Sequence, residues 1–144
     1  MEQILIYSDG GARGNPGPAG IGVVIKLKAQ NQCLKAKLKT ISKYIGETTN
    51  NQAEYQAVIE ALSWVAGNYQ NTDIEIKCFL DSELIVEQLN QRYKIKNEGL
   101  KPLFWQIRDL VMKLGGRVSF QYIPREQNKE ADRLVNKAID KATK

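Results

Sequence analysis

Asp9-Gly10-Gly11-Ala12-Arg13-Gly14-Asn15-Pro16-Gly17 follows, after Ser8, on the apolar run Ile4-Leu5-Ile6-Tyr7. Extended apolar residues followed by a dense set of Gly, Asn and Pro read as a strand, Ile4 to Ser8, that ends in a tight turn. The turn sends the chain back as a second, antiparallel strand over Gly20 to Lys28. Asp9 is thereby a carboxylate held at a strand end, with glycines beside it that let other backbone or a ligand approach closely. The stretch has neither the Gly-x-Gly-x-x-Gly spacing nor a Gly-Lys-Ser/Thr ending, and it returns as a strand instead of opening a helix. It is therefore no phosphate-cradling nucleotide loop.

Outward from Asp9, a third strand is expected near Cys33 to Ile41, with Lys35, Lys37 and Lys39 on one side and Leu34, Ala36, Leu38 and Thr40 on the packed side. These lysines, with Lys26 and Lys28, suit either a phosphate-tracking patch or charged positions that guard a sheet against aggregation. The clearest helix is Asn51 to Ala66, whose stripe is Ala57, Val58, Ala61, Leu62 and Val65, ended by Gly67-Asn68. On a helical wheel Glu54 lies within about 40° of Val58, Ala61 and Val65, so its carboxylate points with the buried stripe. Glu54 either serves a site there or complements the helix dipole from the first turn.

Ile74 to Leu80 forms a near-continuous strand that ends in a second carboxylate, Asp81-Ser82, before a short helix with Leu84, Ile85, Val86 and Leu89. Strands separated by a helix favour parallel pairing, which sets Asp81 beside Asp9 at the carboxyl edge of the sheet, where ligands bind in α/β proteins. A polar, basic loop, Asn90 to Gly99, carries Arg92, Lys94 and Lys96 and leads to a helix over Leu100 to Leu114. A last strand, Arg117 to Ile123, puts Val118, Phe120 and Tyr122 on one face. The loop Pro124 to Gln127 then precedes Asn128, a good N-cap for the helix Lys129 to Lys141, with Asp132 at the margin of its apolar face.

A chain of 144 residues, 42% hydrophobic and 26% charged, is expected to fold as one domain over residues 1–144, with no membrane span or leader segment. Cys33 and Cys78 both sit in apolar, strand-like runs and read as buried free thiols of a reducing, cytoplasmic compartment. The chain has no histidine, which excludes Ser-His-Asp and Cys-His triads, His-ligated zinc and a histidine general base. A net charge of +5 favours an acidic partner, nucleic acid above all.

Asp9, Glu54, Asp81 and Asp132 each have an independent reason to face the core edge. Two such charges ~4 Å apart repel by about 4 kcal/mol at an effective dielectric of 20, so the cluster calls for cations. Oxygen-only ligands select Mg²⁺ or Mn²⁺, and two such ions suit phosphodiester cleavage, supplying an activated water and a stabilised leaving group without histidine.

Four separated motifs now stand in order: the strand with Asp9-Gly10-Gly11 and Gly14-Asn15-Pro16-Gly17; Thr49-Asn50-Asn51-Gln52-Ala53-Glu54; Asp81-Ser82; and Asn128-Lys129-Glu130-Ala131-Asp132. Over nearly its full length the chain resembles type 1 ribonuclease H. The resemblance implies an α/β ribonuclease H-like fold: a mixed five-stranded sheet, order 3-2-1-4-5, with helices on both faces. It implies a monomeric endonuclease that cuts the RNA strand of an RNA/DNA hybrid to 5′-phosphate and 3′-hydroxyl ends. Asp9, Glu54, Asp81 and Asp132 would then be the catalytic metal ligands. Gly14, Asn15, Asn50 and Asn51 would meet the RNA and the minor-groove edges, and Thr49 a DNA phosphate; for the asparagines, turn formation and helix capping are the alternative uses.

Three departures from the family pattern stand out. Where many members have a histidine in the loop before the last helix, this chain has Pro124-Arg125-Glu126-Gln127, with Arg125 the candidate substitute. An arginine keeps its proton at ordinary pH, so its part would be electrostatic. Glu47 stands where an arginine often supports the DNA-phosphate pocket. Asn90 to Gly99 is also too short for the Trp-rich basic handle of some relatives, which leaves Arg92, Lys94 and Lys96 to track the hybrid, as in handle-less archaeal and some bacterial forms.

Overall fold

Ile4 and Ile6 have no exposed surface and Leu5 only 4%, so both faces of their strand are covered. A strand buried on both sides belongs at the centre of a sheet. In the computed structural model, which describes residues 2–29, 35–69 and 73–144, this strand, β1 (Gln3–Ala12), pairs antiparallel with β2 (Gly17–Lys28) and parallel with β4 (Glu75–Leu80). Between them in sequence lie β3 (Lys35–Thr48) and α1 (Asn50–Asn68). After β4 come α2 (Glu83–Leu89), α3 (Lys101–Lys113), β5 (Val118–Tyr122) and α4 (Lys129–Ala142). The sheet order is β3-β2-β1-β4-β5, the order that the resemblance implies.

Glycine decides how closely the helices lie on the sheet. A Cβ on Gly10 would stand 2.3 Å from the Ala53 carbonyl carbon of α1, and one on Gly22 would stand 2.1 Å from the Ala131 oxygen of α4. Gly10 and Gly22 thus mark opposite faces, α1 packing on one and α4 on the other. This corrects the reading of Asp9-Gly10-Gly11 as a strand end. β1 continues to Ala12, with Asp9 paired to Gly22 and Gly10 to Ile21, and the turn is confined to residues 13–16. The glycines that resemble turn residues are strand residues kept small for the two helices.

β3 runs on to Thr48, beyond the expected Ile41, because its register with β2 passes two irregularities, at Ala19/Gly20 and Ile25/Lys26, and resumes. Its packed side is only partly realised: Leu38 rests on the core, while Ala36 and Thr40 are exposed on this edge strand. Lys37 pairs with Glu130 of α4, which favours the structural use of that lysine. Cys33 and Leu34 lie outside the described residues; Cys78 is a buried free thiol whose ionisation burial strongly disfavours. In α3 only Ile107 and Val111 are fully buried, and Leu103, Phe104, Leu110 and Leu114 pack partly against the core. Tyr122, expected to share the buried face of Phe120, is 46% exposed at the end of edge strand β5.

Two contacts fix α1, the helix that carries Glu54. Thr49 caps α1, its hydroxyl accepting from the Gln52 amide at 3.2 Å. The buried Tyr55 hydroxyl donates to Gln88 Oε1 at 2.8 Å, tying α1 to α2. An internal pair of this kind contributes about 1 kcal/mol but would cost more if half of it were removed.

Candidate active site

The parallel register of β1 and β4 ends at Tyr7 opposite Phe79, so Asp9, still within β1, and Asp81, just past the end of β4, meet at the same edge. Ser82 then caps α2 by accepting from the Ile85 amide at 3.3 Å, which turns the chain directly after Asp81. Glu54 sits in the second turn of α1, beyond the first-turn positions where a carboxylate complements the dipole, and it is 7% exposed. The dipole alternative for Glu54 therefore fails on position. Carboxylate oxygens of Asp9, Glu54 and Asp81 all lie within 4.8 Å of one another. Asp132, in the first turn of α4, lines the same cleft of about 420 Å³ and adds its charge at Asp9.

Burial among neighbouring carboxylates raises the affinity of Asp9 and Glu54 for protons. Burial first, then the charge of Asp81, pushes Asp9 up to about 7. Burial first, then the charge of Asp9, pushes Glu54 well above the ordinary carboxylate range. Among the described residues no lysine or arginine pairs with any of the four, and Glu54 Oε2 is buried without a hydrogen-bond partner. An orphaned carboxylate oxygen within a ring of oxygen ligands is what a hard divalent cation satisfies. The donor set fits Mg²⁺ or Mn²⁺ and offers nothing to a soft metal.

Comparison with known proteins agrees with the fold. A family model described as "Reverse transcriptase-like" matches residues 7–138. A ribonuclease H1 designated LC11, isolated from compost by a metagenomic approach, has a structure 49% identical in sequence that covers 100% of both chains with a TM-score of 0.88. The chain belongs to the type 1 ribonuclease H family. The LC11 protein has also been crystallised in complex with an RNA/DNA hybrid; that structure is 48% identical with a TM-score of 0.90 and covers 99% of this chain and 100% of that one. A bifunctional protein of Mycobacterium tuberculosis is 38% identical over 97% of this chain, which spans 36% of that relative's length. This ribonuclease H-family chain thus spans about a third of the first curated relatives it matches.

The remaining candidate residues of this ribonuclease H-family chain fall into three places. Arg125, Asn50 and Asn51 line the cleft with the carboxylates. Arg125 is exposed and opens a short 3-10 turn, Arg125–Gln127. Gly14, Asn15 and Thr49 do not line that cleft. Gly14 adopts φ 98°, a left-handed conformation suited to glycine, in the turn after β1. Asn15 Oδ1 accepts from the Asn50 amide at 3.0 Å, and Asn50 Oδ1 accepts from the Ala12 amide at 2.8 Å. The turn and the start of α1 are thus stitched together through side-chain carbonyls, while the Nδ2 donors of both asparagines keep no partner among the described residues. Lys94 and Lys96 line a neighbouring groove of about 620 Å³ that shares Asn51 with the cleft. Glu47 is exposed on β3 opposite Pro18.

One positioning residue escapes sequence reasoning. Asn128 makes no capping hydrogen bond to α4, contrary to the expectation; its Nδ2 donates to the Ser8 carbonyl at 2.9 Å and to Asp81 Oδ2 at 3.0 Å. An Asn before a helix reads as a cap, and only the folded sheet brings Ser8 and Asp81 within its reach. Arg13 also crosses the cleft rim, donating from Nη2 to Asn136 Oδ1 at 3.3 Å.

Proposed function

We propose that residues 1–144 act as a single-domain, monomeric endonuclease that hydrolyses the RNA strand of RNA/DNA hybrids, leaving 5′-phosphate and 3′-hydroxyl ends. The observation that carries the reading is the cluster of Asp9, Glu54 and Asp81, paired with no lysine or arginine among the described residues, at the carboxyl edge of a ribonuclease H sheet. The LC11 relative's complex with a hybrid, at 48% identity, supports the substrate. No helix among the described residues is long and apolar enough to cross a membrane, and we assign the activity to the cytoplasm on the strength of the buried, unpaired Cys78.

Asp9, Glu54, Asp81 and Asp132 would hold two Mg²⁺ or Mn²⁺ ions with substrate bound. When bound, such ions lower the pKa of water to generate a nucleophile and stabilise charge on the leaving oxygen. The protein's own part is orientation. Asn128 holds the Asp81 carboxylate against β1, and the Thr49-capped start of α1 presents Asn50 and Asn51 to the cleft. Because the carbonyls of Asn15 and Asn50 each accept an internal hydrogen bond, the Nδ2 groups are the parts of these side chains left to donate. Purine N3, pyrimidine O2 and the ribose 2′-oxygen are acceptors present along every RNA/DNA minor groove, so such donors recognise the hybrid without reading its sequence. Arg125 lends positive charge at the cleft rim near the reacting phosphate, and Lys94 and Lys96 follow a backbone beyond Asn51.

The test is incubation of the chain with end-labelled RNA/DNA, RNA/RNA and DNA/DNA duplexes with Mg²⁺, Mn²⁺ or EDTA. Cleavage of the RNA strand in the hybrid alone, dependent on divalent ions, is expected. Metal-independent cutting, or equal cutting of DNA/DNA, contradicts the reading.

A further inference from the structure

Beyond the lysines of the groove lies a pocket that hybrid binding leaves unassigned. Tyr93 is 53% exposed and Trp105 is 63% exposed, and the two border a cavity of about 530 Å³ with Ile95 and Phe104. Phe104 stands edge-on to Trp105, with ring centroids 5.4 Å apart and planes at 79°, which holds the indole in place while its own body packs on the core. Exposed aromatic rings gathered on one cavity mark an interaction surface, and their faces suit a flat partner.

The charges around the pocket are of one sign once local pairs are set aside. Arg92 reaches Glu87 at 3.0 Å and Lys101 reaches Glu98 at 2.8 Å, so both nearby glutamates are engaged by cations. Lys94, also on the pocket wall, has no acidic partner among the described residues. The pocket is continuous with the proposed substrate path: it shares Arg92, Tyr93 and Lys94 with the groove that contains Lys96 and Asn51, and Asn51 lines the catalytic cleft.

Exposed aromatic faces beside an unpaired lysine are the pattern that binds single-stranded nucleic acid, in which successive bases stack and the backbone follows the charge. A base inside a duplex has both faces covered by its neighbours and cannot use such a pocket. We propose that the Tyr93–Trp105 pocket receives unpaired bases of a strand that continues beyond the hybrid, stacked on the two rings with their phosphates at Lys94. This rests on the hybrid-cleavage reading of the cleft. It makes the boundary between hybrid and single strand a preferred place for the chain to bind.

The experiment compares one fluorescently labelled hybrid in blunt form with the same hybrid carrying a short single-stranded extension, of DNA or of RNA, at either end. Binding to the full chain is followed by anisotropy in EDTA, and cleavage is followed separately with Mg²⁺. An extension at one end should tighten binding roughly tenfold. Trp105→Ala should erase most of that gain while leaving blunt-hybrid binding and cleavage unchanged, and Trp105→Phe should keep it; Tyr93→Ala, at a residue that also lines the Lys96 groove, should weaken the extended hybrid more than the blunt one. Equal binding of blunt and extended hybrids by the unaltered chain overturns the pocket, as does an equal loss on both substrates in the alanine variants. Blunt-hybrid cleavage by the unaltered chain reports on the cleft alone, so failure of the pocket and failure of the hydrolase reading are read from different arms.

Discussion

Asn128 Nδ2 lies 3.0 Å from Asp81 Oδ2 and 2.9 Å from the Ser8 carbonyl, so one amide, 1% exposed, joins the last helix's approach to the edges of two central strands. Its effect is to fix the rotation of a carboxylate that would otherwise be free to turn. Outer-shell partners of metal-binding carboxylates typically change activity 10–100-fold when removed. Asn128→Ala should therefore lower kcat by roughly tenfold or more with KM for the hybrid little changed, and should weaken the protection that Mn²⁺ gives against thermal unfolding. Asn128→Asp sets a further negative charge against Asp81 and should be worse than alanine. A rise in KM at constant kcat would assign Asn128 to substrate contact instead.

The carboxylate cluster also sets a pH dependence for the metal-free protein. Asp9 is carried from 3.8 up to about 7, burial being the larger cause, and Glu54 is raised as well. Both groups bind protons more tightly folded than unfolded. For Asp9 the window runs from about pH 4 to 7, where unfolding releases its proton and stability falls as pH rises; Glu54 adds a fall of the same sign above the ordinary carboxylate range. In EDTA the urea midpoint should be lower at pH 8 than at pH 5, and Mg²⁺ or Mn²⁺ should restore it at pH 8. Glu54→Gln should flatten the decline, stabilise the metal-free chain at pH 8 by about 1–3 kcal/mol, and abolish cleavage. An unchanged pH profile in Glu54→Gln would contradict the electrostatic account.

The parts of this site that were legible in the sequence are those encoded locally. Asp9 and Asp81 each follow an apolar run, and the intervening helix makes their strands parallel; Glu54 declares itself by lying on the apolar stripe of α1. What was illegible depends on residues far apart in the chain. Asn128 reads as a helix cap because its partners, Ser8 and Asp81, are 120 and 47 residues away. Gly10 reads as the start of a turn because nothing nearby reveals that Ala53 will pack on it. The extent of β3 is hidden for a related reason: an edge strand with one wet face carries a weak hydrophobic pattern, and its irregular register with β2 is set by the partner strand.

Gly10→Ala tests the close approach of α1 directly. The new methyl would meet backbone atoms of Ala53 and Glu54 at 2.3–2.5 Å, which no rotamer change can relieve. Forcing α1 off the sheet should cost about 3 kcal/mol or more and move Glu54 away from Asp9. Residual folded protein should cleave far more slowly than the parent. Gly67→Ala, where a Cβ meets nothing within 4 Å, should leave stability within about 1 kcal/mol and activity unchanged. Denaturant unfolding of the two variants side by side makes the comparison.

Lys94 and Lys96 are exposed and, among the described residues, without acidic partners, so their positive charge is available to a phosphate backbone. Removing one cation that neutralises a phosphate should reduce the slope of log affinity against log salt by somewhat less than one. Lys94→Ala/Lys96→Ala should therefore raise KM at low salt, flatten the salt dependence by about 1–2, and leave kcat at saturating hybrid near the parent value. An unaltered salt slope would remove these lysines from the substrate path.

Asn15 allows its two roles to be separated by one atom. Its Oδ1 accepts from the Asn50 amide at 3.0 Å and holds the turn to the start of α1, while its Nδ2 is the donor that faces no protein partner among the described residues. Asn15→Asp keeps the acceptor, places its charge near the N-terminus of α1 where the helix dipole favours it, and removes the donor. Asn15→Ala removes both. If the donor serves the minor groove, Asn15→Asp should leave stability within about 1 kcal/mol of the parent yet raise KM roughly tenfold or more, through the missing hydrogen bond and the added repulsion of phosphates. If the residue only shapes the turn, Asn15→Asp should keep the parent's stability and show only a KM rise that high salt removes, and Asn15→Ala alone should be destabilised. Thermal unfolding and hybrid cleavage measured on the same two variants decide between these outcomes.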